Sequence, residues 1–115
     1  MEVVHRNDIE KIEGKQVIFK SDKKFSQVEL DEPAVYSSSS KNSDAGVMLT
    51  ETVTAKTKNN SKVSFLKNAL KYYIIRLYTN TDNFLVGTLD YPAEKTYTSD
   101  HNTINFTYKA SKPLL

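Results

Sequence analysis

One cluster of residues has the types and spacing expected of a chemical function, and it is basic and aromatic. Its lysines fall within a short span of the chain: Lys56, Lys58, Lys62, Lys67 and Lys71. Its rings and its guanidinium group follow: Tyr72, Tyr73, Arg76 and Tyr78. Such interleaving suits a groove for single-stranded nucleic acid, in which bases stack on rings and lysines follow the phosphates. The simpler interpretation is that the tyrosines belong to a core and that the lysines protect sheet edges from wrong pairing.

The other reactive residues do not form a catalytic or metal-binding pattern. His5 and His101 lack a second ligand at the spacing of a metal site. The serines from Ser37 to Ser40 lack the G-x-S-x-G elbow of a nucleophile, and the three glycines are too scattered for a phosphate-binding loop. With 14 acidic residues, a close carboxylate pair is expected by chance. We therefore predict that the protein is not an enzyme and has no catalytic residue, no cofactor and no metal ion.

The composition indicates one domain, which we place at residues 1-115. A chain of 115 residues can remove roughly two-thirds of its extended surface from water, which is enough for a single core. The formal net charge of +2 does not demand nucleic acid or an anionic membrane as a partner. Because the chain has no cysteine, disulfides and zinc–thiolate sites are excluded.

The N-terminal segment, Met1 to Glu13, is too polar for the apolar core of a signal peptide. No apolar run approaches the roughly 20 residues that span a bilayer. We therefore expect a cytoplasmic protein without a membrane partner. The local structure of this segment is ambiguous, since Val3 and Val4 suit a strand whereas Asn7 or Asp8 could cap a helical turn; we favour a short strand followed by a turn.

The C-terminal half predicts an antiparallel meander. From Thr103 to Ala110, apolar and polar residues alternate without interruption, which is the period of a half-buried strand. The apolar stretches Tyr72 to Tyr78 and Phe84 to Leu89 flank a polar cluster at residues 80–83. This arrangement predicts a β-hairpin.

Three details refine this half of the chain. Both faces of the stretch from Tyr72 to Tyr78 are apolar apart from Arg76, which predicts a central strand covered on both sides; a helix from Phe65 to Leu77 is the competing interpretation. Gly87 indicates a bulge or a close approach of two backbones. Glu94 to Thr98 predicts a further edge strand.

The N-terminal half contains shorter strand signals and one long strand. Gln16 to Lys20 predicts a strand, and Phe25 to Leu30 predicts a weaker one. A polar, serine-rich stretch at about 33-46 predicts a mobile loop. Val47 to Lys58 predicts a long strand, in which Glu51 interrupts the apolar face and indicates either a bulge or the place where the strand leaves the core.

These elements predict a mainly β fold, either an antiparallel β-sandwich or a partly open barrel. At most one short helix is expected, near residues 64-70. There Ser64 can act as the N-cap, and Leu66, Ala69 and Leu70 would share one face.

The segment from Arg76 to Pro113 resembles small uncharacterised proteins encoded among the tail and head–tail genes of prophages. The matching features are Arg76-Leu77 at the end of a strand, Leu85-Val86-Gly87, Asp90-Tyr91-Pro92, and a last strand of the Ile104-x-Phe106 type. This resemblance covers about a third of the chain. It implies a β-rich virion structural protein without enzymatic activity, and it carries over no functional residues.

We therefore expect a structural or assembly component of a phage-type particle that self-associates through strand edges and loops. Its partners would be copies of itself or other particle proteins. Tyr36, Tyr91 and Tyr97, if exposed, are the predicted interface anchors, because aromatic residues dominate interface energetics; they are equally compatible with ordinary core or rim positions. Two alternatives stay open: a small-molecule-binding β-barrel with an internal cavity, and a nucleic-acid-binding module that uses the lysines above.

Overall fold

The computed structural model describes residues 1–43, 46–60, 63, 66–67 and 71–113. The structure is mainly β, with 63% of the described residues in strands, and these ranges contain no α-helix; a 3-10 turn spans Arg6–Asp8. Within them, no helix has the length and apolar character needed to cross a membrane. The strands in chain order are β1 Glu2–His5, β2 Ile9–Glu13, β3 Gln16–Phe19, β4 Ser26–Gln27, β5 Val35–Ser43, β6 Gly46–Lys58, β7 Tyr72–Tyr78, β8 Asn83–Val86, β9 Ala93–Ser99 and β10 Thr103–Pro113.

The strands form one large antiparallel sheet and a separate hairpin. Neighbours in the large sheet follow the order β4-β1-β7-β9-β10-β6-β5, and β8 pairs with β7 as well. This sheet curls into a half-barrel. β2 and β3 form a two-stranded hairpin outside it. The predicted fold class, mainly β with antiparallel strands in a partly open barrel, is confirmed.

One face of the sheet, here called the inner face, carries the main hydrophobic core. Its side chains come from alternate positions of the long strands and include Val53, Ala55, Tyr73, Ile75, Ile104, Phe106, Tyr108 and Ala110. Each large side chain that is fully buried contributes roughly 2 kcal/mol to folding. The alternation predicted from Thr103 to Ala110 is confirmed, since all four of its apolar residues are buried.

The β2–β3 hairpin covers part of the opposite face, here called the outer face. Ile9 and Val17 of the hairpin form a second buried cluster with Val4 of β1 and Ile74 of β7. The outer face is therefore covered over β1 and β7. The predicted strand at Gln16 to Lys20 is confirmed as β3.

β7 has the central position that its sequence predicts. It pairs with β1, β8 and β9. Tyr73 and Ile75 belong to the main core, whereas Ile74 lies beneath the hairpin, so both faces of β7 are covered. The competing helix from Phe65 to Leu77 is wrong for the part that β7 occupies. The predicted hairpin is confirmed by the pairing of β7 with β8, although β8 ends at Val86 and not at Leu89.

The serine-rich segment is a strand, so the loop predicted at about 33-46 is wrong for Val35–Ser43. β5 pairs with β6 along its whole length, from Val35 opposite Thr54 to Ser43 opposite Gly46. Backbone hydrogen bonds to a long neighbouring strand determine this conformation, and these bonds do not require apolar side chains. Polar composition indicates solvent exposure, and an exposed strand is as polar as a loop.

The predicted strand at Glu94 to Thr98 exists, but its position in the sheet was wrong. β9 is internal, because it pairs with β10 on one side and with β7 on the other. The N-terminal segment is a strand followed by a turn, as predicted, and then continues into β2. Within the weak strand predicted from Phe25 to Leu30, only Ser26–Gln27 is a strand, as β4.

The long strand predicted from Val47 to Lys58 is confirmed as β6, and the role of Glu51 is resolved. The register of β6 is continuous with both neighbours, so Glu51 is not at a bulge. Alternating burial begins at Val53, which means that the strand leaves the core at Glu51. The helix predicted near residues 64-70 lies largely outside the described residues.

Gly87 allows two backbone segments to approach closely, as its position in the sequence predicts. It has a positive φ of 92°. A Cβ atom at this position would lie 2.9 Å from the backbone nitrogen of Ala93 and 3.2 Å from the carbonyl oxygen of Tyr73. The chain can therefore turn from β8 into β9, beside β7, only without a side chain here.

We expect Gly87→Ala to destabilise the fold by about 3 kcal/mol, because it combines left-handed backbone strain with a backbone clash. Gly14→Ala is the matched control, since Gly14 also has a positive φ, of 61°, but has no atom within 4 Å of the added Cβ. The free energy of unfolding of the control should fall by about 1 kcal/mol. Urea unfolding followed by circular dichroism measures both values. Equal losses of stability in Gly87→Ala and Gly14→Ala would contradict the role of the close backbone approach at Gly87.

Candidate functional site

The main candidate site is the free edge of β5, called the β5 edge below and defined as the side of Val35–Ser43 that faces away from β6. β5 is the last strand of the sheet, and in the described ranges it pairs with β6 alone. Its side chains from Val35 to Asn42 are exposed. A free edge presents backbone N–H and C=O groups that can pair with another strand. The site is therefore equipped to bind an extended polypeptide.

The register of β5 determines which backbone groups point outward. Ser43 pairs with Gly46 across a link of two residues, so this pair must be a hydrogen-bonded one. Hydrogen-bonded and non-hydrogen-bonded pairs alternate along an antiparallel ladder, so every second residue of β5 directs its N–H and C=O groups away from β6. These outward residues are Tyr36, Ser38, Ser40 and Asn42.

Tyr36 fixes the start of β5 against β8. Its ring makes an edge-to-face contact with Phe84, with the ring centroids 5.0 Å apart. Its hydroxyl donates a hydrogen bond to Glu51 Oε2 at 2.6 Å. Partial burial, followed by the Glu51 carboxylate, raises the pKa of Tyr36. These contacts hold the β5 edge in a defined position beside the open side of the half-barrel.

The structure exposes all three predicted interface tyrosines but places them on different elements. The exposed fractions are 38% for Tyr36, 43% for Tyr91 and 39% for Tyr97. Tyr36 borders the β5 edge, and Tyr91 lies in the turn between β8 and β9. Tyr97 lies on β9 against Phe106, with the ring centroids 5.9 Å apart. The condition of exposure is met, and their role in an interface stays a prediction.

The lysines of the predicted nucleic-acid cluster lie on two segments. β6 carries Lys56 and Lys58 at exposed positions of its outer face. The segment that leads into β7 carries Lys67 and Lys71, which are also exposed, and Lys62 lies outside the described residues. The nucleic-acid role of these residues stays a prediction.

The aromatic members of the same cluster divide between core and surface. Tyr73 is buried in the main core and cannot stack on a base. Tyr72 and Tyr78 are 48% and 57% exposed, but they lie at opposite ends of β7, roughly 20 Å apart. The Arg76 guanidinium lies over the Phe25 ring, 4.3 Å from its centroid. The cluster is therefore not a continuous stacking surface.

The two histidines lie at separate places in the fold, and His5 has structural contacts. His5 Nδ1 accepts a hydrogen bond from the Asn7 backbone N–H at 3.2 Å, and its ring contacts Tyr73 edge to face at 5.4 Å. His101 lies in the exposed turn between β9 and β10. In the part of the chain that the structure describes, no three His, Asp or Glu side chains are grouped so that they could hold a metal ion.

A cleft of about 590 Å³ opens between the β2–β3 hairpin, β8, the turn that follows β8, and the side chains of Glu51 and Lys112. Its apolar lining consists of Ile12, Phe84, Leu85 and Leu89. Its charged lining consists of Lys11, Lys15, Glu51, Asp90 and Lys112. The cleft opens to solvent at the surface, whereas Phe106 and Tyr108 fill space inside the half-barrel. The predicted alternative, a small-molecule-binding barrel with an internal cavity, stays a prediction.

Lys95 is a buried cation that the sequence analysis missed. The side chain is 4% exposed, and its Nζ donates a hydrogen bond to the Leu66 carbonyl oxygen at 2.5 Å. The ammonium also lies over the Tyr73 ring, 4.9 Å from its centroid. Burial lowers the pKa of Lys95. The sequence contains a signal for this burial, because Ala93, Lys95 and Tyr97 occupy alternate positions of β9 and therefore lie on its inner face.

Comparisons with known proteins give no match to this chain. No protein-family model matches the sequence, and no curated protein or solved structure is similar to it. The resemblance of Arg76 to Pro113 to prophage proteins therefore stays a prediction.

We expect the buried Lys95 to make stability depend on pH in the alkaline range, below the ordinary lysine pKa of about 10.4. A lowered folded-state pKa means that the unfolded chain binds more protons in this range, so the free energy of unfolding rises with pH. Lys95→Met should abolish this rise, whereas Lys58→Met, at an exposed position of β6, should keep it. Urea unfolding at three pH values measures the effect. An equal pH dependence in Lys95→Met and in the unmodified protein would contradict the assignment.

Proposed function

We propose that this protein is a non-enzymatic structural subunit of a phage-type particle and that it self-associates through the β5 edge. The observation that carries this proposal is a nine-residue strand whose outer side is unpaired in the described ranges. Addition of a strand to such an edge is a common mode of protein association. The particle context comes from the resemblance of Arg76 to Pro113, and the β5 edge supplies a means of association.

A second copy of this chain is the partner that we propose, and the lengths of the sheet edges support this choice. At the far end of the strand order, β4 has only two residues, and β8 has four. A head-to-tail contact between β5 and either strand would leave most of β5 unpaired. Pairing of β5 with β5 of another copy uses the whole edge, and such a self-complementary contact is typical of two-fold dimers.

The sequence of β5 permits this antiparallel self-pairing without opposing like charges. A two-fold axis at Ser39 places Ser38 opposite Ser40, and Tyr36 opposite Asn42. These are the residues whose backbone groups point outward, so the pairing satisfies them in both copies. Lys41, which is the charged residue of β5, then lies opposite Ser37.

The energetics of this contact favour weak, concentration-dependent association. The pairing provides about eight backbone hydrogen bonds, each with a net contribution of about 1 kcal/mol. The loss of translational and rotational freedom costs at least about 4 kcal/mol. A subunit with such a contact can stay dissociated at low concentration and dimerise at the high local concentration inside a particle.

We expect the double variant Ser38→Pro/Ser40→Pro to abolish self-association. Proline removes two outward N–H donors while the hydrogen bonds to β6 remain, since these two residues direct their backbone groups away from β6. The matched control is Ser38→Thr/Ser40→Thr, which keeps both donors. Sedimentation velocity over a hundredfold range of concentration measures association, and circular dichroism confirms that both variants fold.

Three results would contradict the proposal. The first is a protein that stays monomeric at every concentration and never co-purifies with a tail or capsid fraction. The second is a proline variant that associates as strongly as the threonine control. The third is loss of association in the threonine control, which would assign the effect to the serine side chains and not to the backbone edge.

A further inference from the structure

The outer face of the sheet has a large uncovered region next to the part beneath the β2–β3 hairpin. In β9, β10 and β6, the outward side chains are exposed or half-buried. We call this region the hydroxyl face, because it is rich in threonine and serine. Its hydroxyl residues include Thr50, Thr52, Thr54, Thr96, Thr98, Thr107 and Ser111.

Strand pairing aligns these hydroxyl groups in rows. Thr107 of β10 lies opposite Thr54 of β6 on one side and opposite Thr96 of β9 on the other. Thr50 lies opposite Ser111, and their hydroxyl oxygens are 3.0 Å apart. Opposite side chains on neighbouring strands are about 5 Å apart. The face therefore presents closely spaced groups that can each donate and accept hydrogen bonds.

A groove of about 350 Å³ lies on the hydroxyl face where it meets β7. Its lining includes Tyr72, Pro92, Glu94, Thr96, Thr107 and Lys109. The register places Glu94 directly between Tyr72 of β7 and Lys109 of β10. The Tyr72 side chain is 48% exposed, so it offers an aromatic surface beside a carboxylate, an ammonium group and two threonine hydroxyls.

We propose that this groove binds a neutral carbohydrate, with one pyranose ring stacked on Tyr72. The C–H face of a pyranose is apolar and can pack against the exposed aromatic ring. The hydroxyl groups of the sugar can donate to the Glu94 carboxylate and accept from the Lys109 ammonium and the threonine hydroxyls. One exposed aromatic platform surrounded by convergent polar groups fixes both the position and the orientation of such a ligand.

The charge of the groove selects against anionic ligands. The ionised side chains of its lining are one carboxylate, Glu94, and one ammonium, Lys109, and they lie opposite each other in the register. Their charges offset each other, so the groove offers no net attraction for phosphate, sulfate or acidic sugars. A neutral ligand with many hydroxyl groups satisfies both side chains at once. The volume, near the lower end of the range for ligand pockets, suits a short stretch of sugar units.

This site is distinct from the β5 edge. The groove lies on β7, β9 and β10, and β6 separates it from β5 in the sheet order. A carbohydrate on the hydroxyl face and a second copy at the β5 edge would therefore bind at the same time. Failure of one proposal leaves the other intact, and the proline variant of β5 should bind carbohydrate as the unmodified chain does.

The test titrates the full-length, isotopically labelled chain with neutral hexasaccharides of glucose, mannose and N-acetylglucosamine. We expect at least one of them to shift the amide resonances of β9 and β10. Tyr72→Ala should weaken that binding by about tenfold, because the stacking surface is lost. Glu94→Gln should weaken it by about fivefold, because a charged acceptor becomes a neutral one.

Tyr78→Ala is the matched control, since Tyr78 is an exposed tyrosine on the same strand outside the groove. It should leave binding unchanged, and circular dichroism confirms the fold of each variant. The proposal is overturned if no neutral hexasaccharide binds at about 10 mM. It is equally overturned if the two tyrosine variants lose affinity to the same extent, or if a sulfated hexasaccharide binds more tightly than every neutral one.

Discussion

The ladder between β10 and β6 is the interaction on which the rest of the structure depends. It pairs the two longest strands without a register shift, from Thr103 opposite Lys58 to Pro113 opposite Met48. β9 and β7 continue the sheet from one side of this ladder, and β5 continues it from the other. A slip of one residue would exchange the buried side chains Phe106 and Tyr108 with polar neighbours, so the core and the ladder fix each other's register.

The sheet is covered on both faces at β7 and is exposed on its outer face at β9, β10 and β6. The covered part stabilises the fold, and the exposed part is available for binding. β7 has apolar side chains on both faces and is covered by the main core and by the β2–β3 hairpin. Beyond β7, the outer side chains of β9, β10 and β6 are mainly polar, about half of them threonine or serine, and need no second layer. The hydroxyl face results from this arrangement, because in the residues that the structure describes one small hairpin covers part of a wide sheet. The β5 edge results from the position of β5 as the last strand of that sheet.

The alternation of apolar and polar residues in the sequence predicted the buried strands well. It did not predict which strands pair with each other. The alternation from Thr103 to Ala110 and the doubly apolar stretch at β7 follow directly from burial. β5 was missed because its conformation depends on its neighbour β6, and a single sequence does not record which strand lies beside which. For the same reason β9 was predicted at an edge, and the groove between Tyr72 and Lys109 was not foreseen, since it combines residues from three strands.

The serine composition of β5 has a consequence for solubility. A long exposed strand without proline is a hazard, because identical edges can stack indefinitely into fibrils. Stable fibrils require dry, interdigitated side chains between sheets, and serines bury very little apolar surface. The chain can therefore expose a nine-residue strand to water, because stacking of this strand into fibrils would gain little free energy from apolar burial. A reversible contact and resistance to fibril formation follow from the same run of small polar side chains.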